Sequence, residues 1–283
     1  MDSLAWCSDI AIPTGSDFYY ATRFTKAAQS PALICLQAFW LETRAVIGEC
    51  SDPGVALVKL QWWREELARA REGRAQHPVS QALQDRLPEQ VSLTALTGVV
   101  DAIEEQIPAR GYPDYAAQAE WHGRAGGRIW QAFGQVCGQA CDEWPGSGAL
   151  ADLAFGVELI DAIQNLHRDI RTGYRRFPEQ ALEAAGIAVP GPELSTPATA
   201  ITRLCTIQAR EARAHLAAGY ASTDCRCLPL PCRILARLAE TLLAELERDD
   251  YACLQRRESL TPIRKLFIAW RARWTRQSLP AKP

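Results

Sequence analysis

Nowhere does this chain alternate apolar and polar side chains over six residues; its apolar residues recur every three to four positions, the period of an α-helix. That regularity sets aside sandwiches, barrels and mixed α/β sheets and predicts an all-α fold. In Leu57–Leu67, Leu60, Trp63 and Leu67 fall on one face, with Glu65 and Glu66 turned away from it. One long helix is predicted over Asp152–Asp169, opened by Gly146-Ser147-Gly148 and closed near Gly173. Another is predicted over Thr196–Ala221, where Ser195-Thr196 supplies a cap and Pro197 an early helical position. Leu235–Tyr251 and Pro262–Trp274 are two more. Pro13, Pro31, Pro53, Pro78, Pro108 and Pro113 cut the first half into helices of roughly 10–20 residues. No repeat and no linker-like stretch divides the chain, so residues 1–283 are expected to form one domain, with Gly186–Pro197 its most loop-like segment.

Several function classes fall away on charge and composition. A net charge of −2 lacks the basic excess of a nucleic-acid binder. No run approaches the ~20 apolar residues of a membrane span, and the N-terminus lacks a basic segment followed by an apolar one, so a cytoplasmic protein is expected. Ten cysteines in a chain this long, without an export signal, are expected as reduced thiols, several buried as small hydrophobes. Cys225, Cys227 and Cys232 cluster, but provide neither paired CxxC units nor four ligands for zinc, and Cys137 and Cys141 are spaced for helix packing. His77, His122, His167 and His215 are scattered without a nucleophile motif, which leaves hydrolase chemistry unsupported. Gly123–Arg128 matches neither the Walker nor the dinucleotide pattern; its small residues suit close helix packing.

The Pro262–Trp274 helix is basic and rich in tryptophan. Two arrangements fit it. In one, Leu266, Phe267 and Trp270 pack on the core and the arginines face water. In the other, the helix makes peripheral contact with an anionic membrane.

Short motifs then narrow the class. Asp17-Phe18-Tyr19-Tyr20-Ala21 lies near the start; Trp62-Trp63-Arg64-Glu65-Glu66-Leu67 follows, with Gly73 and His77-Pro78-Val79 after it. Asn165-Leu166-His167-Arg168-Asp169 and Phe177-Pro178 come next, and Tyr251–Leu266 closes the series. In this order and at these spacings the chain resembles the squalene/phytoene synthase family over its full length. The resemblance implies an isoprenoid-synthase-like helical bundle around a central apolar cavity. It also implies, for active members, head-to-head joining of two prenyl diphosphates. Two diphosphates bring about −6 of charge, which Mg²⁺ held by facing Asp-rich motifs neutralises.

Against that pattern the chain is depleted. Arg44, Ala45 and Gly48 stand where the family carries aspartates, and Leu41 where it has a phosphate-binding arginine; Glu42 and Glu49 flank these places off the expected face. In the second motif Asn165, Arg168 and Asp169 remain, but the next helical turn, with its second aspartate, is missing. The family's glutamine and tyrosine positions hold Ala162 and Ala239.

Glu158, Asp161, Asn165 and Asp169 still recur along one helical stripe, either as oxygen ligands or as a face salt-bridged to Arg168 and Arg171. Arg44 would repel Mg²⁺ yet could grip a phosphate with two parallel bonds, unless it is simply an exposed or paired arginine. Candidate substrate-binding residues are therefore Arg44, Asn165, Arg168 and Asp169, and candidate metal ligands Asp161, Asn165 and Asp169. Two functions follow. One is a relative whose Mg²⁺-dependent catalysis is lost or altered, with a binding or assembly role; the family includes an assembly factor for mitochondrial complex I. The other is an active, divergent prenyltransferase with Glu42 or Glu49 rotated inward.

Overall fold

In the computed structural model, which describes residues 2–50, 52–109, 111–138, 147–221, 228–254 and 257–274, every regular element among those residues is a helix. Local chemistry sets many of the starts. Asp2, Ser16, Asp52, His77 and Asp114 each accept a backbone N–H from the first turn of the helix that follows. Those helices are α1 (Ser3–Ala11), α2 (Asp17–Thr22), α4 (Pro53–Arg71), α5 (Pro78–Arg86) and α7 (Tyr115–Arg124). Between them lie α3 (Ser30–Glu49) and α6 (Leu93–Ala109). The second half holds α8 (Gly126–Val136), α9 (Ser147–Gln164), α10 (Leu166–Thr172), α11 (Glu179–Ala185), α12 (Ala198–Ala221), α13 (Leu230–Arg248) and α14 (Pro262–Trp274). Gly173 and Gly186 end α10 and α11 in the left-handed conformation that glycine adopts without strain.

The single helix predicted over Asp152–Asp169 is two. Asn165, at φ −99° and ψ 11°, separates α9 from α10. Its side-chain amide donates to the Asp161 carbonyl at 3.0 Å beside its own backbone N–H, and no Pro or Gly announces the break.

α9 is the central helix, with α12, α8, α13 and α7 packed on it. Its contact with α12 is close because glycines on each helix receive a leucine from the other. A Cβ on Gly156 would stand 2.7 Å from Leu216 Cγ, and one on Gly219 would stand 2.7 Å from Leu153 Cγ. α3 packs on α1, α5 and α8; α8 thus touches both α3 and α9, two of the helices that line a cavity of about 810 Å³.

Two expectations about facing are overturned. Glu66 does not turn to solvent but is fully buried. Its carboxylate accepts the backbone N–H groups of Gln76 and His77, each at 2.6 Å, and a bond from Arg69 Nε at 2.8 Å. Burial alone would raise its pKa, yet those donors hold it below the usual carboxylate range. Next to it, the rings of Trp62 and Trp63 meet His77 edge-on. Nor do Leu266, Phe267 and Trp270 pack on the core: they are 43%, 54% and 51% exposed. The inward face of α14 is Lys265, Ala269 and Ala272. It is chosen by Lys265 Nζ, which reaches the Asp17 carboxylate at 2.8 Å and the Gly15 carbonyl at 2.9 Å, while the alanines let α13 approach.

Cys7, Cys35, Cys205, Cys232 and Cys253 are buried free thiols; Cys141, Cys225 and Cys227 lie outside the described residues. No described helix is long and apolar enough to cross a membrane.

Candidate functional site

A cavity of about 810 Å³ is bordered by α3, α9 and α10, together with the Pro13–Phe18 turn and Lys265. This is within the range of small-molecule pockets. Its lining is graded, and so only partly the apolar space expected. Trp40, Trp130, Ala154, Val157 and Leu235 form the apolar part. Further along α9 and α10 come Glu158, Asp161, Asn165, Arg168 and Asp169, because the helical repeat brings these positions to one stripe.

Arg44 crosses from α3 to that stripe. Its two terminal nitrogens donate to the two oxygens of Glu158 at 2.9 and 2.5 Å, and Asp161 lies 4.0 Å away. Burial works against the Arg44 charge, but Glu158, Tyr174 and Asp161 around it more than restore it. Arg44 is thus paired, and its fork is engaged by protein carboxylate. Asn165 is buried and donates to Asp161 Oδ1 at 2.8 Å. Arg168 is largely exposed and donates to Asp169 at 3.3 Å.

The residue that sequence reasoning missed is Arg176. It is almost fully buried, with its guanidinium 2.7 Å from Asp161, 3.3 Å from Glu158 and 3.3 Å from Asp169. Gln118 fixes the backbone there by donating to the Arg176 carbonyl at 3.0 Å. The stripe is therefore ion-paired, as one of its two expected readings held, but through Arg44, Arg176 and Arg168; Arg171 is exposed. Nothing in the run Tyr174-Arg175-Arg176-Phe177 marks which arginine folds inward; the position immediately before the Phe177-Pro178 helix entry is the available signal.

The pairing separates the two aspartates electrostatically. Burial would raise the Asp161 pKa, but Arg176 and Arg44 bring it below the ordinary value. At Asp169 burial prevails over Arg176 and Arg168, and its pKa is raised. His122, in the cavity wall and 3% exposed, is driven by burial to a pKa of about 4 and is neutral at pH 7.

Glu42 and Glu49 part ways. Glu42 accepts from Trp6 Nε1 at 3.4 Å on the α1 side, in a groove with Val58 and Trp62, and does not border the cavity. Glu49 is exposed at the cavity's edge, where Ala45 and Gly48 also line it. Ala162 and Ala239 are buried apolar residues. Among the described residues no three His, Cys, Asp or Glu side chains are grouped so as to hold a metal ion.

A family sequence model described as squalene/phytoene synthase matches residues 13–264. No curated protein sequence matches. Solved structures that share the fold include the following three. Squalene synthase HpnC from Alicyclobacillus acidocaldarius has a TM-score of 0.71 at 17% identity, over 88% of this chain and 94% of that one. A dehydrosqualene synthase in complex with ligand has a TM-score of 0.74 at 14% identity, over 96% and 95%. YisP from Bacillus subtilis has a TM-score of 0.70 at 14% identity, over 95% of each chain.

Proposed function

The chain belongs to the squalene/phytoene synthase family, and we propose that this member uses its cavity to bind a prenyl-chain ligand without the Mg²⁺-dependent coupling of two prenyl diphosphates. The observation that carries this reading is the two-pronged pairing of Arg44 with Glu158. Mg²⁺ demands a near-octahedral set of oxygens at short range. Here the α9–α10 carboxylates are matched by guanidinium groups, and α3 presents Arg44, Ala45 and Gly48 toward the same space. The donor set does not fit the ion.

The same groups suit retention of a ligand rather than its ionisation. The apolar part of the lining, with Trp40, Trp130 and Val157, accepts a hydrocarbon chain. A phosphorylated head group would meet Arg168 at the wall, and could take the Arg44 fork only by exchanging with Glu158. A binding or assembly role follows from this. The runner-up, a divergent prenyltransferase, is supported by Asp161, Asn165, Asp169 and Glu49 bordering one cavity.

Calorimetric titration with farnesyl and geranylgeranyl diphosphate, run beside a pyrophosphate-release assay with and without Mg²⁺, separates the two. Binding that Mg²⁺ does not strengthen, with no release, is expected. Mg²⁺-dependent release that disappears in Asp169→Ala would overturn the proposal in favour of the transferase.

A further inference from the structure

We infer that the outer face of α14 docks on an anionic phospholipid surface. Ile263, Phe267, Trp270 and Trp274 follow one another at spacings of four, three and four residues, which places them on one side of the helix. They are 82%, 54%, 51% and 68% exposed. This side lies opposite Lys265, Ala269 and Ala272, the residues that fasten α14 to the rest of the protein. Four large apolar side chains are thus presented outward by a helix whose inner face is already satisfied. Scattered apolar residues on a surface need no explanation, but a continuous stripe of this size does.

Charge identifies the occupant. Pro262–Trp274 contains Arg264, Lys265, Arg271 and Arg273 and no acidic residue. At 3.6 residues per turn Arg264 and Arg271 border one edge of the apolar stripe and Arg273 the other. A basic helix without an acidic residue, bearing a tryptophan- and phenylalanine-lined stripe, matches a bilayer whose acyl region takes the rings and whose anionic surface favours the helix's positive charge. Arg264 also reaches Glu245 of α13 at 2.6 Å, which braces the helix at that edge. Lys265 lines the cavity and ties α14 to the Pro13–Phe18 turn, so the docked helix is part of the cavity's rim. The inference goes beyond the ligand reading and does not depend on it.

The test is co-sedimentation of the full chain with vesicles of phosphatidylcholine alone and of phosphatidylcholine containing phosphatidylglycerol. Sedimentation with the anionic vesicles only, weakening as salt is raised, is expected. The variant Phe267→Ser/Trp270→Ser should lower that partitioning by about tenfold or more, since each ring loses its transfer into the acyl region. Both positions are exposed, so its far-ultraviolet circular dichroism and melting temperature should match those of the unsubstituted protein. No binding to anionic vesicles, or binding that the double substitution leaves unchanged, would overturn the inference. So would a dimer in sedimentation velocity that the double substitution converts to a monomer without any vesicle binding, which would make the face a contact between copies.

Discussion

Arg44 on α3 and Glu158 on α9 are joined by two parallel hydrogen bonds, 2.9 and 2.5 Å long, across the cavity that the two helices line. With Arg176 on its other side, Glu158 is held between two guanidinium groups. The pair is a strut between α3 and α9.

Removing Arg44 leaves the half-buried Glu158 carboxylate with Arg176 as its remaining cationic partner. Arg44→Met should therefore destabilise the protein by about 2–4 kcal/mol in urea unfolding. The double variant Arg44→Met/Glu158→Met should recover part of that loss, because the half-paired carboxylate goes with its partner while Arg176 keeps Asp161 and Asp169. Equal losses in the single and double variants would mean that the pair holds no coupling.

If the guanidinium is what keeps a divalent ion out, a carboxylate in its place should admit one. Arg44→Asp is expected to melt lower than the parent protein in chelator. Saturating Mg²⁺ should then raise its melting temperature by about 2–4 °C, the size expected of a ligand bound only by the folded state. The parent protein should show no such response. Stabilisation of both proteins by Mg²⁺ would argue against the exclusion.

His122 gives a pH dependence with a definite sign. Its folded pKa of about 4 lies below the ordinary imidazole value near 6.5. Between those values the unfolded chain takes up a proton that the folded one refuses, so stability falls as pH falls. The loss amounts to about 3 kcal/mol across the window. His122→Asn should flatten the curve there, as read by urea unfolding at a series of pH values. An unchanged slope would show that the imidazole does not carry it.

The contact between α9 and α12 should be intolerant of a single methyl group. Gly156→Ala puts a carbon 2.7 Å from Leu216 and should cost about 1–3 kcal/mol of overpacking. Adding Leu216→Ala should make the two changes non-additive, the alanine at 156 costing less once the leucine has been shortened. Additive costs from thermal unfolding would mean that the helices have already separated to absorb the strain.

Helical period, caps and prolines made the fold legible, since those signals are local. Pro262–Trp274 forms the helix predicted for it, and the family resemblance agrees with the match over residues 13–264. Local signals did not reach the choice of partner. The stripe Glu158–Asp169 was visible, but Arg44 reaches Glu158 across 114 positions and Arg176 reaches it across 18. Such pairings are settled by how helices pack, not by spacing along the chain. Orientation failed for the same reason at Glu66, whose burial depends on backbone N–H groups ten and eleven residues on. On α14 a single lysine decided which side turned inward against the hydrophobic pattern.

The Glu66 bond to Gln76 and His77 bears on how such a chain is identified. The tryptophan pair, the acidic doublet and the His77-Pro78-Val79 turn are its most conspicuous signature, and their carboxylate is spent closing a loop. Selection on the frame alone would preserve that signature whatever chemistry the cavity performs. Kinship is written in the α4–α5 corner, apart from the cavity where charges are paired between α3 and α9.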